Sequence, residues 1–437
     1  MVKQDQVGDT LGQLAAALQA GKARLRHWTA CADMLERTGD ADTGQTILKA
    51  IQLTRSRLSY MPPQIRSAYL AQSEAPLDLI EVLIGIGAPQ VAVDLLLRLT
   101  GVYGDSADFH FQLGSAYAMS GDNPRAIASF KVALLRDADH ADAHLRLAYL
   151  LAEKGAIGEA FEHFMTRARM ASRSKAPEHT GAPPHKVRHD QEQREYLSAL
   201  GVPPEEVFHI GDGARFAGPV INPAHNENAV LARWRNASPQ FIILDDFLTQ
   251  PALEKLREYC LQSTVWHRIY EAGYIGAIPA DGFACPLLAQ LAEEISARWP
   301  LIFGPHRFKY LGAFKYDSEM SLGTNTHADL AAVNVNFYVT PNEANLEPES
   351  GGMVIWNKTI DTEPLMRSLN SSEDAMQEYL FSRHAVATKI PHLANRAVIF
   401  KSSLIHKTDD FEFRTGYANK RINISLLYGE YGASTCV

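Results

Sequence analysis

The sequence predicts an α+β protein of several domains, in which an N-terminal α-solenoid of helix pairs precedes a C-terminal double-stranded β-helix (jelly roll) with flanking helices. A 34-residue period in the N-terminal half predicts the solenoid. Two helical patterns after residue 249, followed by short β-prone runs separated by turns, predict the jelly roll. The length of 437 residues suits two or three domains of ordinary size.

Composition and charge indicate which binding partners and which cellular location to expect for this protein. The net charge of −8, with 46% hydrophobic and 21% charged residues, gives no reason to expect nucleic acid or an anionic membrane as partner. The chain begins without the pattern of a secretory signal, and no apolar run approaches the roughly 20 residues of a membrane span. Its four cysteines lack CxxC spacing, so neither a disulfide framework nor a thiolate zinc site is expected. We therefore expect a cytoplasmic location.

The repeat appears as small and apolar residues that recur at the same interval. Three series are spaced by 34 positions: Gly87, Gly121 and Gly155; Ala92, Ala126 and Ala160; and Leu79, Leu113 and Leu147. In each unit the glycine would end the first helix at positive φ, and the alanine would let the second helix approach closely. Together with Tyr117 and Phe130 of the middle unit, these positions resemble the tetratricopeptide repeat.

Four segments follow from this period and from the composition. They are residues 1–72, N-terminal helices that form a divergent repeat or a cap; 73–174, three tetratricopeptide-like repeats; 175–238, a linker and connecting helix; and 239–437, the domain that carries the chemistry. His179, His185 and His189, in or just after the linker, are expected to be exposed. The concave surface of a solenoid commonly holds a peptide or protein, so the repeats are expected to bind a partner or to form a homodimer.

A metal site is predicted from two separated stretches of the C-terminal domain. His327-Ala328-Asp329 places an imidazole and a carboxylate two residues apart, on the same side of an extended segment. His406 follows Asp329 by 77 positions, at the end of a β-prone run that starts at Ala397. Two imidazoles and one carboxylate on one face leave three open positions on an octahedral metal, as in non-haem iron(II) oxygenases. The sequence therefore predicts His327, Asp329 and His406 as metal ligands and catalytic residues.

Polar residues alternate along the last predicted strand, Arg421–Tyr428. Arg421, Asn423 and Ser425 share one face of this strand, whereas the opposite face is apolar. A polar cofactor inside the barrel would account for three polar side chains on one face. Asn334, Asn336 and Tyr338, on an earlier strand, are further candidates for the lining of the same pocket.

The segment from Gln240 to Gly432 resembles the prolyl-hydroxylase-like branch of the 2-oxoglutarate/iron(II) dioxygenase superfamily. The resemblance lies in Leu244-Asp245-Asp246-Phe247-Leu248, in His327-Ala328-Asp329, in Gly351-Gly352, and in the tail from His406 to Arg421. It implies that the three predicted ligands bind Fe(II). Arg421 would pair with the distal carboxylate of 2-oxoglutarate, and Tyr316, on the strand before the first ligand, would touch the same cosubstrate. More loosely, the whole chain resembles bacterial tetratricopeptide-repeat proteins that carry such a domain.

The spacing of the anchoring arginine departs from the family. Arg421 follows His406 by 15 positions, which is farther than usual, and Arg414 follows it by eight. Arg414 therefore competes for the same role. Arg421 is preferred because it directly precedes the alternating strand, as the family arginine does. Asp409–Lys420 is then a loop insertion with Gly416 as its turn.

The resemblance implies an enzyme that uses Fe(II), 2-oxoglutarate and O2 and releases succinate and CO2. The expected reaction is hydroxylation of a C–H bond in a protein, peptide or amino-acid-like substrate. Two alternatives stay open: the same chemistry on a small or carrier-bound metabolite, with the repeats used for dimerisation, and a repeat scaffold whose barrel is catalytically inactive. Two segments are predicted to border the mouth of the pocket and to select the substrate, namely Asn357–Ile390 and Asp409–Lys420.

Overall fold

The structure is a computed structural model that describes residues 13, 16, 25–38, 41–59, 83–85, 87–103, 106–173 and 181–431. The chain divides into two compact units, Met1–Leu150 and Leu151–Val437. Within the described ranges, no helix is long and apolar enough to cross a membrane. Cys31, Cys260 and Cys285 are buried free thiols.

The first unit is built from paired helices. They are α1 (Leu25–Thr38), α2 (Ala41–Ser59), α3 (Pro89–Tyr103), α4 (Ala107–Met119), α5 (Asn123–Arg136) and α6 (Ala141–Lys154), the last of which runs past the end of the unit. Of the N-terminal helices predicted for residues 1–72, most of residues 1–24 and all of 60–72 lie outside the described residues.

The period glycines show why this sequence forms helix pairs. All three adopt positive φ, at 78° for Gly87, 82° for Gly121 and 91° for Gly155, a conformation that a side chain disfavours. In the middle repeat, a Cβ on Gly114 would lie 2.7 Å from the ring of Phe130. Only glycine at that position therefore allows α4 and α5 to pack this closely.

The second unit surrounds two antiparallel sheets with helices. The helices are α7 (Ile157–Arg173), α8 (Pro184–Ala199), α9 (Glu227–Asn236), α10 (Gln250–Gln262), α11 (Pro286–Arg298), α12 (Pro300–Phe303), α13 (Glu363–Asn370) and α14 (Glu373–Ser382). The strands are β1 (Phe241–Leu244), β2 (Arg268–Ile269), β3 (Ile275–Ala277), β4 (Phe308–Tyr316), β5 (Val333–Tyr338), β6 (Met353–Thr359), β7 (Ala387–Ile390), β8 (Ala397–Lys401), β9 (Leu404–Thr408) and β10 (Arg421–Tyr428). The large sheet has the order β1-β8-β5-β10-β4-β3-β2, and the small sheet has the order β7-β6-β9. The predicted fold class, a helical repeat region followed by an antiparallel β domain, is confirmed.

One β-prone run proves to be two strands. The apolar stretch from Ala397 to Ile405 predicts a single strand that His406 closes, but the chain turns at Ser402-Ser403 between β8 and β9. β8 belongs to the large sheet and β9 to the small one, so His406 lies in the middle of a strand rather than at its end. The turn contains neither glycine nor proline, and burial keeps both strands apolar, so the local pattern does not reveal the break.

Helix α8 starts inside the segment that composition identifies as a linker, with Pro184 in its first turn. The prediction that His189 is exposed is wrong, since only 2% of its surface is accessible. Its Nε2 lies 3.3 Å from the Lys315 ammonium nitrogen, and its ring centroid lies 5.6 Å from that of Tyr417. Packing of α8 against β4 thus buries a histidine that the polar composition places in solvent. His179 lies outside the described residues.

Helix α7 belongs to the second unit, although the repeat pattern assigns it to the third helix pair. The ring of Phe161 lies 6.0 Å from the ring of Phe308, at the start of β4. The guanidinium of Arg167 donates a hydrogen bond to the carbonyl oxygen of Ala280 at 2.7 Å. The last repeat helix is therefore also part of the packing of the β domain.

Candidate metal centre and cosubstrate site

A main-chain bridge brings the two ligand-bearing stretches together. The N–H of His327 donates to the carbonyl oxygen of His406 at 2.9 Å, and the N–H of His406 donates to the carbonyl oxygen of His327 at 2.8 Å. The N–H of Asp329 donates to the carbonyl oxygen of Ser402, in the turn before β9, at 2.9 Å. Antiparallel pairing thus places residues far apart in sequence side by side.

Three donor atoms converge at this bridge. Nε2 of His327 lies 3.8 Å from Oδ1 of Asp329, and Nε2 of His406 lies 3.4 Å from Oδ2 of the same carboxylate. The ligand atoms of all three residues lie within 4.8 Å of one another. Donors about 2.1 Å from one ion stand roughly 3 Å apart in octahedral geometry, so these three surround a volume suited to a single metal ion.

Backbone carbonyls orient both imidazole rings. Nδ1 of His327 lies 2.7 Å from the carbonyl oxygen of Asn325, and Nδ1 of His406 lies 2.9 Å from that of Leu404. Because a carbonyl oxygen only accepts, each Nδ1 carries the proton and donates it. Each Nε2 then keeps its lone pair for a metal, and this outer hydrogen bond is the usual partner of a ligating histidine.

Two side chains hold the carboxylate of Asp329. The amide nitrogen of Asn334, on β5, donates to Oδ2 of Asp329. The hydroxyl of Ser402 in turn donates to Oδ1 of Asn334 at 2.6 Å. Asn334 is 2% exposed, so this chain of hydrogen bonds orients Asp329 from within the core.

Electrostatics keeps two of the groups in their metal-binding forms. Burial lowers the pKa of His327 below its ordinary value, and the neighbouring His406 lowers it further. Burial alone would raise the pKa of Asp329, but its neighbours His406 and His327 and the hydrogen bond from Asn334 outweigh burial and hold this pKa below its ordinary value. A neutral imidazole and an ionised carboxylate are the forms that bind metal, so both groups are ready at neutral pH.

Arg421, the first residue of β10, is a buried cation in the same cavity. Only 2% of its surface is exposed. Its guanidinium donates to the carbonyl oxygens of Gly351 at 2.6 Å and Gly352 at 2.9 Å, and to the side-chain oxygen of Asn423 at 2.9 Å. Among the residues that the structure describes, no carboxylate forms an ion pair with it. These neutral acceptors leave the positive charge of the guanidinium without an anionic partner among the described residues.

The ligands and Arg421 line one cavity of about 610 Å³. Four further residues predicted for the site also line it: Tyr316, Asn336, Asn423 and Ser425. The ring of Tyr316 lies 4.7 Å from the guanidinium carbon of Arg421. Arg414, the competing arginine, is exposed and is not among the described residues that line this cavity.

Four aromatic side chains form a wall of the same cavity. Tyr270 and Tyr274, on the β2–β3 hairpin, are stacked with their ring centroids 4.3 Å apart. Tyr274 also stacks on Tyr316 at 5.0 Å, and Phe314 contacts both hairpin rings. The wall therefore continues from Tyr316, which lies beside Arg421, to Tyr270 and Tyr274, which are half-buried.

The two segments expected at the pocket mouth differ in their contacts. Asn370, within Asn357–Ile390, lines the cavity itself. From Asp409–Lys420, Phe411 reaches Tyr316, with ring centroids 5.6 Å apart, but it does not line the cavity among the described residues. Whether either segment selects a substrate stays a prediction.

Asn334, a candidate for the pocket lining in the sequence, does line the cavity. Ser402, Tyr270 and Tyr274 were not predicted as part of the site. They carry no local signal, because a turn and a short hairpin bring them to it.

Comparisons with known proteins agree with the predicted helical repeats. A tetratricopeptide repeat model matches residues 77–134 and 113–174, so the predicted repeats are confirmed. No curated protein matches the chain.

Three solved structures illustrate what parts of the chain are similar to. The non-heme alpha ketoglutarate dependent epimerase SnoN from nogalamycin biosynthesis is 14% identical, with 48% of this chain and 84% of that chain covered and a TM-score of 0.35. A Pseudomonas putida prolyl-4-hydroxylase is 14% identical, with coverages of 47% and 98% and a TM-score of 0.32. MamA is 20% identical, with coverages of 40% and 87% and a TM-score of 0.22. With TM-scores this low, the similarity to these structures does not indicate an activity. The activity is inferred from the residues of the site.

Proposed function

We propose that the C-terminal unit is an Fe(II)- and 2-oxoglutarate-dependent oxygenase that hydroxylates a C–H bond. One observation carries this proposal: a buried arginine without a carboxylate partner among the described residues shares a cavity with two imidazoles and a carboxylate. A buried charge is costly unless it is paired. We therefore infer that an anionic ligand binds Arg421 and that the three donors bind a metal ion beside it.

The donor set fits Fe(II). Neutral imidazoles and one carboxylate on a single face form the facial triad that leaves positions open for a chelating cosubstrate and O2. We infer that His327, Asp329 and His406 hold this ion. When bound, it supplies O2 activation coupled to decarboxylation of 2-oxoglutarate to succinate and CO2 and to insertion of one oxygen atom into a C–H bond.

Arg421 would bind the distal carboxylate of 2-oxoglutarate. A charge-assisted hydrogen bond of this kind contributes about 1.5–3 kcal/mol. Gly351, Gly352 and Asn423 hold the guanidinium in place before the ligand arrives, so little conformational entropy is lost on binding. Tyr316, packed on the guanidinium, would contact the same cosubstrate.

The aromatic wall would hold the substrate and keep water from the metal. Tyr270, Tyr274 and Phe314 line the same cavity as the ligand set, and exclusion of water protects the oxidising chemistry from side reactions. We infer a protein, peptide or amino-acid-like substrate, with the tetratricopeptide repeats binding the partner that carries it. A small or carrier-bound metabolite, with the repeats used for self-association, is the alternative.

An anaerobic titration tests this function. Metal-free protein is mixed with Fe(II) and 2-oxoglutarate, and the visible spectrum is followed for the charge-transfer band of the chelate. We expect the band with the natural chain and its loss in His406→Ala. The absence of the band from the natural chain would contradict the proposal and favour a repeat scaffold with an inactive barrel.

A further inference from the structure

The residue between the first two ligands is held from its outer side. The N–H of Ala328 donates to Oδ1 of Asn370 at 3.1 Å, and Nδ2 of Asn370 donates to the carbonyl oxygen of Ala328 at 2.8 Å. Backbone groups of successive residues in an extended segment point to opposite sides. The backbone groups of His327 and Asp329 pair with β9 and the turn before it, so the N–H and carbonyl of Ala328 point to the other side. There the Asn370 amide makes the two hydrogen bonds that a neighbouring strand would otherwise make.

A second side chain holds the residue just before this stretch. The carboxylate of Glu373 accepts from the N–H of Thr326 at 2.9 Å and from its hydroxyl at 2.7 Å. Gln377, one turn further along α14, donates to the same carboxylate at 2.6 Å. Asn370 ends α13 and Glu373 starts α14, so the junction of two helices supplies both partners.

The apolar faces of these helices pack beside the ligands. One buried cluster contains Ala328, Ile360, Met366, Leu369, Met376, Leu380 and Ile405. Ala328 lies between His327 and Asp329, and Ile405 directly precedes His406. The two helices therefore contact a chain neighbour of every metal ligand.

We propose that α13 and α14 form a clamp that sets the metal affinity of the site, with Asn370 and Glu373 as positioning residues; this inference rests on the proposed function. Donor atoms that are held in place before binding lose less conformational entropy when the ion binds. Loss of one outer partner of a metal ligand typically weakens affinity by about 10- to 100-fold. The segment expected to select substrate thus also maintains the metal centre.

Titration of the metal-free full-length chain with Co(II) tests the clamp. We expect Asn370→Ala and Glu373→Ala each to raise the Kd for Co(II) by about tenfold, the lower end of this range, because they hold residues next to the ligands and not the ligands themselves. Asp374→Ala, which removes an exposed carboxylate from the same helix, is the matched control and should leave the Kd unchanged. Asn370→Asp keeps an acceptor for the N–H of Ala328 but loses the donor, so its Kd should lie between those of the natural chain and Asn370→Ala.

Thermal unfolding of the metal-free variants separates positioning from folding. A clamp predicts that Co(II) affinity falls while the metal-free unfolding temperature of Asn370→Asp stays near that of Asp374→Ala. If Asn370→Ala does not fold, Asn370→Asp carries the test. Equal Co(II) affinities in the natural chain and the folded variants would overturn the clamp but leave the proposed function standing. A natural chain that does not bind Co(II), or that binds it equally well after His327→Ala, would overturn both.

Discussion

At the scale of single residues, Arg421 constrains the function most. It is nearly inaccessible, its contacts are neutral oxygens and aromatic rings, and its charge is permanent. Interaction with the faces of Tyr316 and Tyr338 partly stabilises the cation. An anionic cosubstrate would complete this environment.

Substitution of the two competing arginines gives a direct prediction. Arg421→Ala should weaken 2-oxoglutarate binding, measured by calorimetry with Co(II) in the site, by about tenfold or more, which corresponds to at least 1.4 kcal/mol. Arg414→Ala should leave this binding unchanged because Arg414 is exposed outside the cavity. The reverse pattern would show that the cosubstrate is bound by the other arginine.

His392 predicts a dependence of stability on pH. Burial, and then the charge of Arg421, lower the pKa of His392 from 6.5 to about 3. Between these two values the unfolded chain binds a proton that the folded chain does not, so stability falls as the pH decreases through this window. One such group contributes a slope of at most about 1.4 kcal/mol per pH unit.

The substitution His392→Gln tests this contribution. We expect the free energy of unfolding in urea to fall less steeply between about pH 6 and pH 4 in the variant, because the titrating ring is gone. The residual slope would come from other histidines with lowered pKa values, such as His189. A slope equal to that of the natural chain would mean that His392 does not titrate in this range.

At the scale of elements, the turn into β6 supports the guanidinium of Arg421. Gly351 adopts φ of 81°, and both Gly351 and Gly352 present their carbonyl oxygens to Arg421. A Cβ on Gly352 would lie 1.9 Å from the carbonyl oxygen of Ile390, on β7. The two glycines therefore allow β6 to approach β7 and form the support for the guanidinium at the same time.

Gly352→Ala should consequently affect both stability and binding. The clash requires a backbone shift, which we expect to lower the free energy of unfolding by about 1–3 kcal/mol and to weaken 2-oxoglutarate binding as Arg421 loses its support. Gly218→Ala is the matched control, because a Cβ there meets nothing within 4 Å. Chemical denaturation and calorimetry measure the two effects. Unchanged 2-oxoglutarate affinity in a destabilised Gly352→Ala would show that the turn does not position the arginine.

At the scale of the whole molecule, the β domain incorporates a repeat helix. Phe161 of α7 is 1% exposed and packs against Phe308 and Phe164. Phe161→Ala should therefore lower the free energy of unfolding of the second unit by about 3–5 kcal/mol. Leu135→Ala, in the middle repeat, should change it little because this side chain is 80% exposed. Urea unfolding followed by tryptophan fluorescence measures both, and equal effects would contradict a structural role of α7 in the β domain.

The sequence by itself determined the features that a local pattern encodes. The period of Gly87, Gly121 and Gly155 specified the helix pairs because each glycine meets a conformational need of its own turn. Alternation along Arg421–Tyr428 specified that strand to the residue, since each side chain of a strand records the face on which it lies. The metal ligands were candidates for the same reason: their spacing and chemistry are visible without neighbours.

Only the tertiary structure decided which distant residues meet. The break at Ser402-Ser403, the burial of His189 and the hydrogen bonds of Asn370 with Ala328 depend on contacts across many positions of the chain. A residue type states what a group can donate or accept, but it does not state which partner packing brings within reach. The three candidate ligands could therefore be named from the sequence, whereas the residues that hold them in place could be identified only in the folded chain.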